Sequence, residues 1–375
     1  MKRERLHRLL LPLLVCLAAV AGMFTSCDVH EVPEPPSATA TCLRLSFSTL
    51  LTSNDVNLLG GRAQSDSVRA VSDTLRTLRL SLRAYPLLPT GQAADVPVFS
   101  RTYLREVSPD DYDCILPAEL PVGNYRLAIW ADFVGAEGLD LFYDTRDFRE
   151  ITLLAPHTGG TDLRDAFRGV VDCEVQARTY VAPPDTIDVA MERPLAKIEF
   201  LTTDLKEFIS KEQERAEELL KSNGATTSSA DADTKDSYPQ SVDLSLYNIR
   251  FYYAGFMPSV YSLFDDKPID SATGVSFDSK IRPTDQGEAS LGFDYVFVNG
   301  KESFVSVIVC VYDTEGHLMV TSPTLKVPTR RNFHTLVRGK FLTETASSGV
   351  TIDADFDGEF NIEVRSLPLG PLPPE

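Results

Sequence analysis

Metal and redox signatures are scarce in these 375 residues. No Cys-x-x-Cys occurs, and five histidines leave a zinc or haem site little to build on. Six cysteines over this length exclude a disulfide-dense small scaffold. Basic charge is short as well: 36 Lys and Arg face 54 Asp and Glu, for a net charge of −18. Phosphate contacts need clustered cations, so a broad nucleic-acid face is excluded. Catalytic phrases are also missing. There is no Gly-x-Ser-x-Gly and no His-Glu-x-x-His, and His30, His157, His317 and His334 lie in no recognisable catalytic phrase. Carboxylates are numerous enough to pair by chance, so acid pairs read as a solvated face. No enzyme and no cofactor are expected.

Only one long apolar run exists, and it lies at the start. Lys2, Arg3, Arg5 and Arg8 precede an apolar stretch over 9–24, then Thr25, Ser26 and Cys27. A basic start, a short apolar run and a small residue before the cut describe a secretory signal peptide over 1–26. The run is short for a membrane-spanning helix, which wants about 20 residues. The phrase Met23-Phe24-Thr25-Ser26-Cys27 resembles a lipobox, in which the cysteine becomes the acylated first residue. Phe24 and Ser26 stand where Leu and Gly or Ala are usual. The other reading is an ordinary signal-peptidase cut with Cys27 a bystander. Residues 27–37 are polar and Pro-rich (DVHEVPEPP over 28–36), an extended tether. Removing the leader takes four basic residues and one acid, leaving a net charge of −21. Such a surface repels anionic lipid, so the acyl anchor must supply membrane attachment. Of the remaining cysteines, Cys42, Cys114 and Cys173 can bridge in an oxidising compartment. Separate buried thiols, with Cys310, are an equal alternative.

The body alternates with period two, the pattern of half-buried antiparallel strands. Leu43, Leu45 and Phe47 alternate with Arg44 and Ser46; Leu78, Leu80 and Leu82 with Arg79 and Ser81; Tyr125, Leu127 and Ile129 with Arg126 and Ala128; Ile249, Phe251 and Tyr253 with Arg250 and Tyr252. The first strand is expected over 42–51. Residues 303–312 are apolar on nearly both faces, which suits a central strand. Asn299-Gly300 predicts a hairpin joining it to 293–298. One segment, 204–221, has helical spacing, with Asp204 and Glu207 as a capping box, Glu207–Lys211 as an i,i+4 pair, and Gly224 as the stop. A loop follows over 222–240. The Pro-rich stretch over 183–194 divides a first β-sandwich, 38–190, from a second, 191–365, and 366–375 is a Pro-rich tail.

Several phrases then resemble the Bacteroides-type fimbrillin superfamily, which includes fimbrial anchor and accessory lipoproteins. They are Leu120-Pro121-Val122-Gly123-Asn124-Tyr125 running on to Trp130-Ala131-Asp132, and Met191-Glu192-Arg193-Pro194-Leu195-Ala196-Lys197-Ile198. Tyr253-Ala254-Gly255-Phe256-Met257-Pro258-Ser259, Asp265-Asp266-Lys267-Pro268 and 291–300 (LGFDYVFVNG) resemble a narrower group of uncharacterised lipoproteins. The resemblance implies a mainly β fold: two tandem transthyretin-like β-sandwich domains with one inserted surface helix. It also implies fimbrial or other surface-protein subunits as partners, with polymerising relatives cut at an arginine to release the first strand. Arg62 and Arg69 are the possible protease cleavage sites here. Four prolines within 366–375 suit no ladder donor, which favours an anchor over a shaft subunit.

The best metal-like phrase is Asp353-Ala354-Asp355-Phe356-Asp357-Gly358, which matches the first six places of an EF-hand loop. Val364 occupies the twelfth place, where a bidentate Glu belongs, so the expectation over 351–364 is strand, turn, strand and no metal. Two functions follow as expectations. The first is a lipid-anchored structural, adhesive or anchor/accessory subunit at the outer membrane, on the cell surface or its periplasmic face. The second is a carbohydrate- or peptide-binding surface lipoprotein of a nutrient uptake system. For the second, Trp130 reads as core, and Tyr252, Tyr253, Phe256 and Tyr261 are the one aromatic cluster with a claim to exposure; ordinary packing is the preferred reading of it.

Overall fold

Period-two patterning becomes strand at each segment where it was strongest, in a computed structural model that describes residues 38–47, 76–107, 112–177, 185–222, 242–284, 287–343, 350–351 and 360–364. The first half holds β1 (Ala38–Phe47), β2 (Arg76–Pro86), β3 (Phe99–Val107), β4 (Cys114–Pro121), β5 (Gly123–Val134), β6 (Tyr143–Asp144), β7 (Ile151–Leu153), β8 (Ala166–Val175) and β9 (Asp185–Met191). The second holds β10 (Leu195–Thr202), helix α1 (Leu205–Ser222), β11 (Asn248–Tyr253), β12 (Met257–Ser262), β13 (Lys267–Ala272), β14 (Ser276–Ser279), β15 (Arg282–Pro283) and β16 (Ala289–Phe297). It ends with β17 (Glu302–Tyr312), β18 (Leu318–Thr321), β19 (Leu325–Arg330), β20 (His334–Gly339), β21 (Val350–Thr351) and β22 (Phe360–Val364).

In the first half, sheet β4-β1-β9 and sheet β3-β2-β5-β8 share one core. Leu43, Leu45, Leu80, Leu82, Leu127 and Ile129 fill it, each with at most 1% of its surface exposed. Strand β1 starts four residues earlier than expected, and it is not purely antiparallel. It pairs antiparallel with β4 (Ala38↔Pro121 to Leu45↔Cys114) and parallel with β9 (Thr41↔Asp185 to Phe47↔Met191). In the second half, sheet β15-β16-β10-β20-β22-β21 and sheet β14-β11-β17-β18, with β19 also on β17, enclose a second core. Val305, Val307, Val309 and Val311 point into it from β17, which is paired on both sides as its two-faced apolarity predicts. Helix α1 covers part of this core with Leu205 and Phe208, and Phe208 meets Tyr247 edge-on at 5.0 Å. Further along the helix Leu219 is 56% exposed.

Two expectations are corrected. Strands β16 and β17 do not form a hairpin: β16 pairs with β10 and β15, β17 with β11, β18 and β19. The Asn299-Gly300 turn, with Gly300 at φ +75°, carries the chain from one sheet to the other. One side of β16 is held by β10; β15 takes only Ala289 and Ser290, and the Phe293 and Tyr295 carbonyls accept from Gly160 and Arg164, so β17 finds its partners elsewhere. The capping box is also replaced. The Asp204 carboxylate accepts from the N–H of Thr343 at 2.8 Å, from its hydroxyl at 2.8 Å, and from the Thr202 hydroxyl, while Glu207 pairs with Lys211 at 3.0 Å. Asp204 thus ties the helix start to the turn after β20. Of the aromatic cluster, Tyr253 and Tyr261 are buried, in line with the ordinary packing preferred for it, and Phe256 is 76% exposed.

At the chain's end, Thr351 pairs antiparallel with Glu363 and Val350 with Val364. The acidic phrase over 353–358 lies outside the described residues, as do Cys27, Arg62 and Arg69. Cys42, Cys114, Cys173 and Cys310 are free thiols.

A fifth sheet crosses between the halves. Its order is β13-β12-β7-β6, with Val260↔Thr152 and Tyr261↔Ile151 joining strands from either side of residue 191. Beneath it lies a third core. Trp130, Tyr143, Phe148 and Ile151 meet Tyr261, Tyr295 and Phe297 there. Trp130 and Tyr143 are T-shaped at 5.5 Å, and Tyr261 stacks on Phe297 at 5.1 Å. Such pairs add about 0.5–1.5 kcal/mol each beyond area burial. This seam positions both features described next.

Candidate functional site: a charged seam and the groove beside it

The seam is lined by ionisable groups from both halves. Asp294 lies on β16 among apolar neighbours and is fully buried. Its carboxylate accepts from the Tyr253 hydroxyl at 2.6 Å and from the Tyr295 N–H at 2.7 Å, and it meets His157 Nε2 at 2.7 Å. Arg164 Nε stands 3.0 Å from its other oxygen. Burial pushes this acid up, but Arg164, His157 and Tyr253 outweigh burial and hold it below the usual carboxylate range. Arg164 Nη1 is 3.2 Å from His157 Nδ1. A guanidinium only donates, so Nδ1 is the acceptor and Nε2 carries the proton given to Asp294. Both ring nitrogens of His157 are therefore engaged by buried partners.

Neighbouring contacts follow the same design. Arg193 Nε donates to both oxygens of Asp165 at 2.8 and 2.9 Å, and Lys197 Nζ donates to Asp162 at 3.0 Å. Asp266 gathers Arg168 at 2.6 Å, Arg331 at 2.7 Å and the Tyr261 hydroxyl. Each cluster joins a residue before 191 to one after it. Removing one partner from the buried Arg193–Asp165 pair costs about 3–5 kcal/mol, because the other charge is stranded; Asp162 and Asp266 are partly exposed, and solvent lowers the cost there.

The seam covers only half of the outer face of sheet β3-β2-β5-β8. Tyr143, Phe148 and Ile151 share their core with Trp130 and Ala128 of β5. Over β2 and β3 the face stays open and forms the floor of a groove of about 430 Å³. Its floor is three cross-strand pairs: Arg79↔Leu104, Ser81↔Thr102 and Arg83↔Ser100. One wall is the turn carrying Glu137, Gly138 and Asp140, and the other end is closed by Thr145 and Arg146. Glu137 at φ +58° and Gly138 at φ +82° both adopt left-handed backbone, a cost tolerated at the glycine and unusual at the glutamate.

Arg79 anchors the groove floor. It donates to Asp132 from Nε at 2.9 Å and Nη2 at 2.7 Å, and from Nη1 to Asp140. Burial dominates at Asp132 and, despite Arg79, pushes its carboxyl up to about 6. Arg83 is held differently. Its Nη2 donates to the carbonyls of Thr145 at 3.1 Å and Arg146 at 2.9 Å, and its guanidinium lies 4.2 Å over Phe148.

The sequence reading named neither network. A signal was available: Asp132 and Asp294 are lone acids inside otherwise apolar strands, where a carboxylate survives only with buried partners. Of the histidines, His157 is in the seam, His334 Nε2 is 3.0 Å from Glu199, and His317 is exposed beside Asp313. Among the described residues, no group of three or more His, Cys, Asp or Glu is arranged to hold a metal.

Residues 38–367 match the sequence model of a family of unknown function, DUF6562. No curated protein matches the chain. Among solved structures, the chain is similar to the tip fimbrial protein Mfa3 from Porphyromonas gingivalis, at 10% identity over 80% of this chain and 94% of that one, with a TM-score of 0.37. It is similar to the fimbrial anchor protein Mfa2 from the same organism, at 10% identity over 75% and 81%, TM-score 0.34. A candidate polysaccharide-binding protein from Bacteroides thetaiotaomicron is 11% identical over 76% and 79%, TM-score 0.39.

Proposed function

The chain belongs to DUF6562, a family of unknown function, and for it we propose a structural role at the cell envelope. The protein is anchored to the outer membrane through acyl chains on Cys27 and serves as an anchor or accessory subunit of a fimbria-like surface assembly. Its body is two tandem transthyretin-like sandwiches, and its partners are other surface subunits.

The observation that carries this reading is the place of β1. An anchor transmits force from its tether to its body. Cys27 lies eleven residues before Ala38, where β1 begins. That strand is the middle of its sheet, hydrogen-bonded to β4 along one side and β9 along the other. Pulling it out along its length must shear two ladders at once, with Leu43 and Leu45 seated in the core. A tether attached to an edge strand would face only one. The chemistry of the seam supports the same reading, because its buried charges are spent on each other.

Metabolic labelling with a fatty acid tests the anchor. The wild type is expected to incorporate label and stay with outer-membrane fractions, and Cys27→Ala to lose both. Equal labelling would sink the proposal. An anchor must also remain uncut: a mature form beginning after Arg62 or Arg69, with a high-mass ladder in unboiled samples, would move the protein from anchor to shaft or tip.

A further inference from the structure

The groove over β2 and β3 has a polarity that the anchor role does not use. Its floor presents side chains, not backbone: at about 3.4 Å per residue the three cross-strand pairs extend about 14 Å along the sheet. At one end stands Arg83. Arg79 has Asp132 and Asp140, Arg146 has Asp144, and Arg149 has Asp95. Arg83 alone among these four meets no carboxylate among the described residues; it touches only two carbonyls and Phe148, through one of its nitrogens. In a chain of net charge −18, that leaves a cation and its remaining N–H donors directed at a groove.

The middle of the groove is hydroxyl. Ser81 and Thr102 are 3.4 Å apart, a weak contact that leaves both able to donate and accept, and Ser100 adds a third. At the far end Asp140 gives one oxygen to Arg79, and its second oxygen meets no donor among the described residues. Leu104, 48% exposed, supplies an apolar strip beside these groups. From end to end the groove offers a cationic donor, hydroxyls of either sense, and an anionic acceptor.

We propose that this groove binds a short acidic saccharide, with a uronate-type carboxylate on Arg83 and ring hydroxyls shared by Ser81, Thr102 and Asp140. A carboxylate suits the planar guanidinium fork. Hydroxyls both give and take, as the middle and far end require. A polyanion is disfavoured, because Asp140 and Glu137 stand at the end away from Arg83. A neutral glycan lacks the group that Arg83 selects, and the lining holds no aromatic ring to stack it. An acidic peptide is the weaker candidate, since an extended peptide is gripped chiefly by a sheet's backbone edge, and this floor is a sheet's face.

Calorimetric titration of the soluble chain from residue 28, at 0.15 M salt, tests it. The probes are glucuronosyl-xylobiose, which carries a single carboxylate, its methyl ester, sialyllactose and triglutamate. Binding of at least one acidic saccharide is expected, about tenfold weaker for the ester of the same skeleton and about tenfold weaker for Arg83→Met. Arg83→Lys should restore part of the loss. Thr102→Val, on the edge strand, gives a second reading that does not disturb the seam; a threefold or greater loss is expected. Failure of both acidic saccharides to bind overturns the proposal. So does equal binding of acid and ester, or triglutamate binding as tightly as the saccharides. None of these outcomes bears on acylation of Cys27, so the two readings fail separately.

Discussion

Asp132 and Asp294 begin from the same position. Each is a single acid in an apolar strand, each is fully buried, and each faces an arginine. Their protons nevertheless behave oppositely. Asp294 receives Tyr253, His157 and the Tyr295 amide as well as Arg164, and it stays below the usual range. Asp132 has the two bonds from Arg79, and that arginine is shared with a second acid, Asp140. Its carboxyl rises to about 6. Burial penalises both; the donors to Asp294 overcome it, whereas Asp132, with Arg79 shared and the charge of Asp140 nearby, stays raised. Asp294 is thus held in its charged form, while Asp132 titrates within reach of physiological pH.

The largest expected effect comes from the seam. Asp294→Ala strands Arg164 in the interior and removes the acceptor of three other donors. We expect a loss of about 3–5 kcal/mol in urea unfolding. Asp132→Ala should cost less, about 1–3 kcal/mol, because Arg79 keeps Asp140. The loss at Asp294 should appear in a single transition for the whole chain, since the third core and the shared sheet tie both halves to it. Equal losses at the two aspartates would break the comparison. Two separate transitions, one untouched by Asp294→Ala, would show that the seam does not couple the halves.

The next effect is smaller and has a sign. The folded carboxyl of Asp132 lies above its ordinary value of 3.8, so the native state holds a proton that the unfolded chain releases between about pH 4 and 6. Its stabilising contribution is full below 3.8 and is lost as pH rises through 6. Asp294 works the other way: its contribution is full above 3.8 and is lost as pH falls toward its lower folded value. Between pH 7 and 5 only the first titrates. Wild type should therefore gain about 1 kcal/mol over Asp132→Asn when moved from pH 7 to 5. Parallel urea midpoints at the two pH values would show that Asp132 is ionised throughout.

Much of the strand layout was legible because alternation is a local signal. Leu43 and Leu45, Leu78 to Leu82, and Leu127 and Ile129 point where their spacing says, and the helix read at 204–221 is found at Leu205–Ser222. What failed depends on distant residues. Asn299-Gly300 announces that the chain turns, but whether the next strand returns to its own sheet depends on β10 and on the distant donors Gly160 and Arg164, which already hold β16. The third core draws Trp130 and Tyr143 to Tyr261 and Phe297, more than a hundred residues away, and no periodicity records that meeting. The seam aspartates left a faint mark, an acid where an aliphatic residue was due. Arg83 left none, because an unpaired arginine reads like any outward residue of an alternating strand until its neighbours are known.

The smallest effect tests whether burial, and not the Asp–Arg pairing itself, separates these sites. Arg126 and Asp172 lie opposite each other on β5 and β8, on the same strand as Asp132 and with geometry as good: two parallel bonds, both 2.7 Å. Their side chains are 26% and 47% exposed. The contact draws the carboxyl of Asp172 below its ordinary range, chiefly through hydrogen bonds from Arg126, as it does not for Asp132. Solvent, however, screens the attraction and supplies either partner with substitutes when the other is removed. A double-mutant cycle of Arg126→Ala and Asp172→Ala should give a coupling of about 0.2–1 kcal/mol. That coupling should fade toward zero in 1 M salt, where the screening length is about 3 Å. The same cycle on Arg164 and Asp294 should hardly respond to salt. A coupling at Arg126–Asp172 above about 2 kcal/mol, or one that persists in high salt, would mean that bidentate geometry carries the energy and that depth in the fold matters less than the contrast between Asp132 and Asp294 implies.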